Sequence, residues 1–293
     1  MIVFPIKYNT NLGNWMFQYA AALSTGLQVG IWFEDKAKVR LFADYSDIFR
    51  GVECVDSIEG LRVWLQPSFR YSQLPKMDGD FVIDGFFQSE KFFDKQKVRD
   101  KFSITADRRG ELWEKYGEWL SKRNVTGISV RYGKDYREQC FMHPFVGRRY
   151  FKECIRRVPE CDDFIVCSDN IAWCKEWFPR NFPNRHFLFV EGESVINQLY
   201  VQTLCKNNII SNSSFSWWGG WLNDNPKKTV LAPSMWFGPF ARYAKVDWSD
   251  LYASDMTVVP NRPSIIETID MNVRCWWKIF KIEAVKFRDG RDE

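Results

Sequence analysis

The sequence predicts an α/β protein made of two halves that face each other across a cleft. Short apolar runs alternate with longer segments of helical periodicity, which is the pattern of α/β folds. A polar segment over 121–125 precedes a new apolar run and marks the predicted change of domain. The length of 293 residues allows two domains, and a content of 45% hydrophobic and 27% charged residues excludes general disorder.

In the first half, each predicted element comes from an apolar run or from a helical period. Strands are predicted at Ile2–Ile6, 30–33 and 81–86, where short apolar runs occur. Helices are predicted at 14–28, after an Asn/Gly loop, and at 108–122. The second helix has one apolar face, formed by Leu112, Trp113, Tyr116, Trp119 and Leu120.

The second half repeats this alternation more clearly. Strands are predicted at 125–131, 163–168, 186–190, 208–211 and 229–232, and helices near 148–158, 170–177, 193–206 and 214–223. The predicted domains are 1–123 and 124–260, followed by a helical tail over 261–293. In such a protein the active cleft lies between the halves, at the carboxyl ends of the strands.

Composition excludes several classes of function. The net charge of +4 is small and dispersed, whereas nucleic-acid binding favours a concentrated basic face. Eight cysteines form no CxxC pair and His143 lies far from His186, so no zinc site and no other metal site is expected. No segment is apolar enough to span a membrane and the start lacks a signal peptide, so a cytoplasmic location is expected.

The serine-rich segment after the predicted strand 208–211 is a candidate phosphate site. Ser213 or Ser214 is placed to cap the next helix, whose first turn also contains Phe215 and Ser216. The free backbone N–H groups and the dipole of such a helix start bind phosphate. A capped core helix with no ligand is an equal alternative.

The segment that follows the strand 125–131 contains the charged candidates. Arg131 stands at the strand end and suits a diphosphate, because its planar guanidinium makes paired charge-assisted hydrogen bonds. Asp135 and Glu138 are the carboxylates available as a general base. The alternative is a solvated loop with surface ion pairs.

Two weaker candidates follow other strands. Gly13 allows close backbone approach, and Asn14 caps the helix or touches a ligand. Asp169, after the strand 163–168, accepts hydrogen bonds from a base or ribose, or is an N-cap.

Taken together, these segments resemble the bacterial α-1,2-fucosyltransferases from residue 1 to about residue 250. The most specific run is NIISNSSFSWWG at 208–219, supported by GFFQSEKFF at 85–93 and APSMWF at 232–237. Weaker matches are Leu12-Gly13-Asn14 with 16–20, and Ser168-Asp169 before Trp173-Cys174. The resemblance implies a GT-B-like fold with two Rossmann-like α/β domains, in which the N-terminal domain 1–123 is the acceptor side and the C-terminal domain 124–260 binds the nucleotide-sugar donor. It also implies GDP-fucose as donor and metal-independent, inverting transfer to the 2-hydroxyl of a galactose-type residue of a surface glycan.

Carried over by position, Arg131 falls in the family's His-x-Arg-Arg-x-Asp element and would hold the donor pyrophosphate. Ser129 stands in place of the histidine, Tyr132 replaces the second arginine, and Lys134 is an extra residue before Asp135. Glu138 is the first candidate for the base and Asp135 the second. The donor-binding set is Arg131, Gly13, Asn14, Asp169, Ser213, Ser214, Phe215 and Ser216, with no metal or cofactor. The alternatives are another GDP-deoxyhexose as donor, and a weakened sugar-nucleotide- or glycan-binding protein of this fold.

The tail, beyond the resemblance, contains an amphipathic helix. One apolar stripe is formed by Val273, Trp276, Trp277, Phe280, Ala284 and Phe287, at helical spacings. A neighbouring basic flank is formed by Arg274, Lys278, Lys281 and Arg288. Such a helix suits a membrane interface near lipid-linked acceptors, through 271–288. The favoured alternative is that the stripe packs back onto the protein.

Overall fold

A computed structural model of the chain describes residues 1–7, 10–76, 79–158 and 160–288. For Asp135 and 286–288 it describes the backbone alone. Within these ranges the chain forms two separate sheets, one in each half, surrounded by helices.

The first sheet has five parallel strands in the order β3-β2-β1-β5-β4. Its strands are β1 (Ile2–Ile6), β2 (Val29–Phe33), β3 (Glu53–Cys54), β4 (Arg62–Leu65) and β5 (Phe81–Asp84). The helices of this half are α1 (Leu12–Ser24), α2 (Lys38–Ala43), α3 (Lys95–Lys101) and α4 (Ala106–Leu120), with a short 3₁₀ turn at Glu90–Phe92.

The second sheet has six parallel strands in the order β11-β10-β9-β6-β7-β8. Its strands are β6 (Thr126–Val130), β7 (Asp163–Ser168), β8 (His186–Phe189), β9 (Asn207–Ile209), β10 (Val230–Pro233) and β11 (Met256–Val259). Its helices are α5 (Lys134–Glu138), α6 (Arg148–Arg157), α7 (Ile171–Asn181), α8 (Val195–Leu204), α9 (Ser214–Trp221) and α10 (Pro239–Tyr243), and α11 (Ile265–Arg288) follows.

The predicted GT-B-like fold class is confirmed, since each half is an α/β unit on a parallel sheet. The division after residue 123 falls between the two sheets and stays a prediction. The strands that sequence patterns missed, β3, β4 and β11, lie at sheet edges and are largely exposed, so they contain no buried apolar run. The first helix is α1, which runs from Leu12 to Ser24 rather than over 14–28.

The two halves are joined by an aromatic core. Phe17 of α1 packs against Trp217 and Trp218 of α9, with ring centroids 4.7 and 4.8 Å apart. Phe93 stacks on Trp218 at 5.3 Å and meets Trp221 edge to face. Part of the high aromatic content therefore fills the junction between the halves, and the N-termini of α1 and α9 are held together there.

A buried carboxylate adds a polar clamp to this junction. Glu90 is 9% exposed and accepts hydrogen bonds from Trp221 Nε1 at 3.0 Å and from the Ser254 backbone N–H at 2.9 Å. It also forms an ion pair with Lys95 at 2.9 Å. Burial by itself raises the pKa of this carboxyl, but these hydrogen bonds outweigh burial and lower the pKa from 4.5 to about 2.

The tail helix α11 packs along a different line from the one favoured by the sequence. Met271 and Cys275 are each 5% exposed, and Ile279 and Ile282 continue this line half-buried. The residues of the apolar stripe that the structure describes face outward, and Trp276 is 70% exposed. The favoured alternative, that this stripe packs onto the protein, is therefore wrong, because a second apolar line makes the contact. The side chains of Phe287 and Arg288 lie outside the described residues.

Candidate active site

The candidate residues of the second half gather at the carboxyl edge of its sheet. Strands β7, β6 and β9 are neighbours and parallel, so the segments that follow them meet at one edge. Arg131 directly follows β6, Asp169 directly follows β7, and Ser211 lies two residues beyond β9. The parallel register thus brings together groups that are about 40 residues apart in the chain.

Asp169 is the anchor of this cluster. Its two carboxylate oxygens accept hydrogen bonds from the backbone N–H groups of Tyr132 at 2.7 Å and Gly133 at 2.9 Å. Its Oδ2 also pairs with Arg131 Nη1 at 2.9 Å. The next residue, Asn170, is the N-cap of α7 and accepts from the Trp173 N–H. Asp169 is therefore not the N-cap; it fixes the loop that presents Arg131, and its role toward a nucleotide stays a prediction.

Arg131 is held on two sides while its side chain stays 31% exposed. Asp169 binds one edge of the guanidinium, and the guanidinium carbon lies 5.0 Å from the ring centroid of Tyr136. The Tyr136 hydroxyl donates to the Asn212 carbonyl, and the Arg131 N–H donates to Ser211 Oγ at 3.1 Å. A cation restrained in this way loses little further entropy when it binds an anion.

The start of α9 lies at the same edge of the sheet. Ser213 is its N-cap by position, although its side chain makes no capping bond. The Trp217 N–H donates to the Ser213 carbonyl, so the N–H groups of Ser214, Phe215 and Ser216 precede the intrahelical series. Ser216 is buried, and its Oγ lies 2.6 Å from Ser129 Oγ. These N–H groups and the helix dipole favour an anion at this end.

Gly13 and Asn14 come to this place from the other half. The Gly13 carbonyl accepts from Trp218 Nε1 at 3.0 Å, and a Cβ on Gly13 would lie 2.6 Å from the Ser214 carbonyl carbon. Asn14 does not cap α1, whose N-cap is Asn11. The Oδ1 atom of Asn14 instead accepts a hydrogen bond from Gln88 Nε2 at 2.8 Å. The close backbone approach that Gly13 permits is to the start of α9.

We expect the substitution Gly13→Ala to open the junction between the halves. The new methyl group would overlap backbone atoms of α9, which cannot move independently of the aromatic core. Overpacking of this kind costs about 1–3 kcal/mol of unfolding free energy. Thermal unfolding would measure the loss, and Gly110→Ala, where a Cβ meets no atom within 4 Å, is the control.

The candidate bases stand apart from this cluster. Glu138 is exposed near the end of α5, and its Oε1 lies 3.8 Å from Lys134 Nζ. It lines a cavity between α5 and α11 rather than the edge that holds Asp169. Asp135 lies in the same short helix, and its side chain is outside the described part. The predicted solvated loop thus contains a helical turn, and the identity of the base stays a prediction.

Three polar residues of the cluster were not predicted from the sequence. Ser211 Oγ accepts from Arg131 N–H and donates to the Ser129 carbonyl at 2.7 Å, which ties β9 to β6. Asn212 Nδ2 donates to the carbonyls of Pro144 at 2.7 Å and Trp236 at 3.0 Å. Tyr136 packs against Arg131. Ser211 and Asn212 lie in the run NIISNSSFSWWG. Their position as polar residues at the end of a buried strand could have identified them as site residues.

Replacement of Asp169 by asparagine should weaken donor binding through Arg131. The amide of asparagine would place an N–H group against one of the two backbone N–H groups that now donate to Asp169. The loop of Tyr132 and Gly133 would therefore lose one hydrogen bond. We expect a rise of about tenfold in donor KM, with a smaller change in kcat, since one charge-assisted hydrogen bond contributes about 1.5–3 kcal/mol. Asp163→Asn, at the opposite end of β7, is the control; equal effects of both variants would contradict the positioning role.

Among the described residues, no group of three or more His, Cys, Asp or Glu side chains is placed to hold a metal ion. The fixed positive groups at the sheet edge are the Arg131 guanidinium and the start of α9. An anion at this edge would therefore meet a guanidinium and helix N–H groups together.

Comparison with known proteins gives related glycosyltransferases. The chain is 35% identical over 121 residues to the O-antigen biosynthesis glycosyltransferase WbnK of Escherichia coli. The matched segment covers 39% of each of the two chains. It is 34% identical over 121 residues to an α-1,2-colitosyltransferase of the same organism, covering 39% of this chain and 41% of that protein. The chain thus spans about two fifths of the length of these relatives.

Solved structures give weaker likenesses. The fucosyltransferase NodZ from Bradyrhizobium has a TM-score of 0.48 at 15% identity, covering 74% of this chain and 91% of that one. The apo form of POFUT1 has a TM-score of 0.45 at 10% identity, covering 79% and 97%.

The family model for glycosyl transferase family 11 matches residues 57–250, which include the second sheet as far as β10, the Asp169 cluster and all of α9. On this match, which covers about two thirds of the sequence, the chain belongs to glycosyl transferase family 11.

Proposed function

We propose that this glycosyltransferase moves L-fucose from GDP-fucose to the 2-hydroxyl of a galactose-type residue, with inversion. The proposal is based on one observation: Arg131, which Asp169 holds in place, and the start of α9 lie at the same edge of the second sheet. A nucleoside diphosphate needs such groups, because two phosphates gain negative charge as the glycosidic bond breaks.

The proposed step is a single displacement. The acceptor oxygen attacks the anomeric carbon from the face opposite GDP, and the bond from that carbon to the diphosphate oxygen breaks. Its electron pair stays on GDP, where Arg131 and the N–H groups of Ser214–Ser216 balance the new charge. The acceptor proton passes to a carboxylate, for which Glu138 is the first candidate and Asp135 the second.

A second donor deserves a direct comparison. One relative is an α-1,2-colitosyltransferase, and colitose is fucose without one ring hydroxyl. Tyr132, where the family resemblance implies a second arginine, directly follows Arg131 and is therefore a departure of this chain beside the candidate diphosphate site. A different deoxyhexose on the same GDP is therefore the alternative donor.

The experiment compares GDP-fucose with GDP-colitose, using methyl β-galactoside as acceptor and released GDP and product mass as readouts. Turnover with GDP-fucose at least about tenfold above GDP-colitose, a difference of roughly 1.4 kcal/mol in barrier, supports fucosyl transfer. The reverse order assigns the other donor. Saturable donor binding with no product from either would contradict the enzyme proposal and favour a binding protein.

We also propose that transfer needs no metal ion. Arg131 and the start of α9 supply the positive charge that a divalent ion supplies in other transferases. We expect unchanged initial rates after treatment with excess EDTA. Loss of activity that added manganese or magnesium restores would contradict the proposal.

The exposed face of α11 supports peripheral contact with a membrane, near lipid-linked surface-glycan acceptors. Trp276 and Trp277 are 70% and 60% exposed, and Phe280 stacks beside Trp277. Lys281 Nζ lies 5.2 Å from the Trp277 ring centroid, so basic charge adjoins the apolar face. This combination suits an anionic lipid surface better than a second copy of the same basic helix. No helix in the described ranges has the length and apolar character that crossing a bilayer requires.

Sedimentation with vesicles tests this contact. We expect the full chain to sediment with phosphatidylglycerol vesicles and less with phosphatidylcholine vesicles. The double variant Trp276→Ser, Trp277→Ser should lose sedimentation and keep activity on a soluble galactoside, and Trp113→Ser, an exposed tryptophan on α4, is the control. If the double variant instead turns a dimer into a monomer, the face joins two copies and the membrane proposal fails.

A further inference from the structure

A cavity of about 410 Å³ lies between α5 and α11. One wall comes from the segment after β6, with Tyr132, Tyr136 and Glu138. The opposite wall comes from α11, with Glu267 and Arg274 on one side of that helix. The volume is in the range of small-ligand sites.

The lining of this cavity fits a neutral sugar better than an anion. Its charged side chains balance, since three are basic (Lys134, Arg137 and Arg274) and three are acidic (Glu138, Glu267 and Asp270). The aromatic rings of Tyr132, Tyr136 and Phe145 supply flat apolar surface. Carboxylates and guanidinium groups beside aromatic rings bind the hydroxyl groups and the apolar face of a pyranose.

The cavity borders the candidate diphosphate site. Tyr136 belongs to both places, because it lines the cavity while Arg131 lies over its ring at 5.0 Å. Tyr132, which also lines the cavity, directly follows Arg131, and Asp169 fixes its backbone. A sugar in this cavity would therefore be a neighbour of a diphosphate held by Arg131.

The α11 wall lies outside the part of the chain that the family model matches. That match ends at residue 250, whereas Glu267, Asp270 and Arg274 come from Ile265–Arg288. The helix start is well formed, because Glu267 Oε2 accepts from the Ser264 N–H at 2.7 Å and Ser264 Oγ accepts in return from the Glu267 N–H. Arg274 is held by Asp270 at 2.9 Å. The α11 wall is thus a well-formed helix outside the range that the family model matches.

We propose that this cavity is the subsite for the acceptor sugar, with α11 as the wall that sets acceptor specificity. The proposal rests on the proposed function and extends it, because it places the neutral acceptor beside the candidate donor site in the second half, and not on the N-terminal domain that the family resemblance implies as the acceptor side. It also explains why Glu138 lies away from Asp169. A base removes the proton of the acceptor hydroxyl and therefore lies beside the acceptor, not beside the diphosphate. The exposed Trp276 and Trp277 of the same helix do not line the cavity.

The test uses two variants on the α11 wall, neither of which belongs to the proposed catalytic groups. Arg274→Ala removes a donor of hydrogen bonds, and Glu267→Gln changes the charge but can keep the helix cap. We expect the KM for methyl β-galactoside to rise about five- to tenfold in each, as loss of a hydrogen bond of about 1–1.5 kcal/mol predicts. The KM for the donor and the rate of slow donor hydrolysis without acceptor should stay within about twofold of the wild-type values. A twofold change corresponds to a free-energy difference below roughly 0.5 kcal/mol.

Asn272→Ala, an exposed change on the same helix, is the matched control and should leave both KM values unchanged. Wild-type acceptor KM in both wall variants would overturn the subsite while leaving the transferase proposal intact. A rise in donor KM alone would assign the cavity to the nucleotide instead and overturn the proposal. Failure of the wild-type protein to transfer or hydrolyse any GDP-sugar would be a failure of the proposed function, visible before any variant is made.

Discussion

The substitution Arg131→Ala is expected to abolish nearly all transfer without unfolding the protein. The guanidinium pairs with Asp169 and lies over Tyr136, yet remains partly exposed at the edge where α9 begins. Loss of one preorganised group that stabilises developing charge costs about 10²–10³-fold in kcat. Arg131→Lys should recover little, because an ammonium group cannot bind Asp169 and a diphosphate in the same planar geometry.

The measurement is steady-state release of GDP, with unfolding monitored separately. Arg123→Ala is the matched control, because this arginine is 85% exposed and pairs with Glu160 away from the site. The assignment of Arg131 to the diphosphate fails if folded Arg131→Ala retains wild-type kinetics.

The largest stability effect should come from Glu90→Gln. Glu90 receives hydrogen bonds from Trp221 and Ser254 and an ion pair from Lys95, and an amide cannot accept all of them. Its pKa of about 2 lies below the ordinary 4.5, a difference that corresponds to about 3 kcal/mol of stability. We therefore expect Glu90→Gln to lower the unfolding free energy by about 2–3 kcal/mol at neutral pH.

The pH dependence follows from the direction of this shift. A carboxyl whose pKa is lowered by folding stabilises the protein fully above its unfolded pKa, and this contribution is lost as the pH falls from 4.5 toward about 2. The difference in unfolding free energy between the wild type and Glu90→Gln, measured by urea unfolding, should become smaller as the pH falls over this range. Glu160→Gln, at an exposed ion pair, is the control. A difference that persists unchanged at pH 2 would show that the clamp does not depend on the ionised carboxylate.

Strands whose side chains are largely buried could be predicted from the sequence, whereas the exposed edge strands β3, β4 and β11 could not. The runs at β1 and β7 are apolar because their strands are covered on both faces, so they were visible as patterns. Strand β4 is mostly exposed at a sheet edge, and its sequence carries no such run. The position of Arg131 at a strand end was predictable for the same reason.

The connections within the site needed the three-dimensional register. Nothing in the residues around Asp169 shows that β7 lies beside β6, which is what brings its carboxylate to the Tyr132 and Gly133 N–H groups. The tail is a similar case. The line through Met271 and Cys275 has the same helical spacing as the stripe through Trp276, so the pattern could not decide which line is buried.

A crystal structure with GDP bound would locate the diphosphate. We expect it within hydrogen-bond distance of the Arg131 guanidinium and of the backbone N–H groups of Ser214, Phe215 or Ser216. A diphosphate bound instead between α5 and α11, on Lys134, Arg137 or Arg274, would contradict both the donor site and the acceptor cavity.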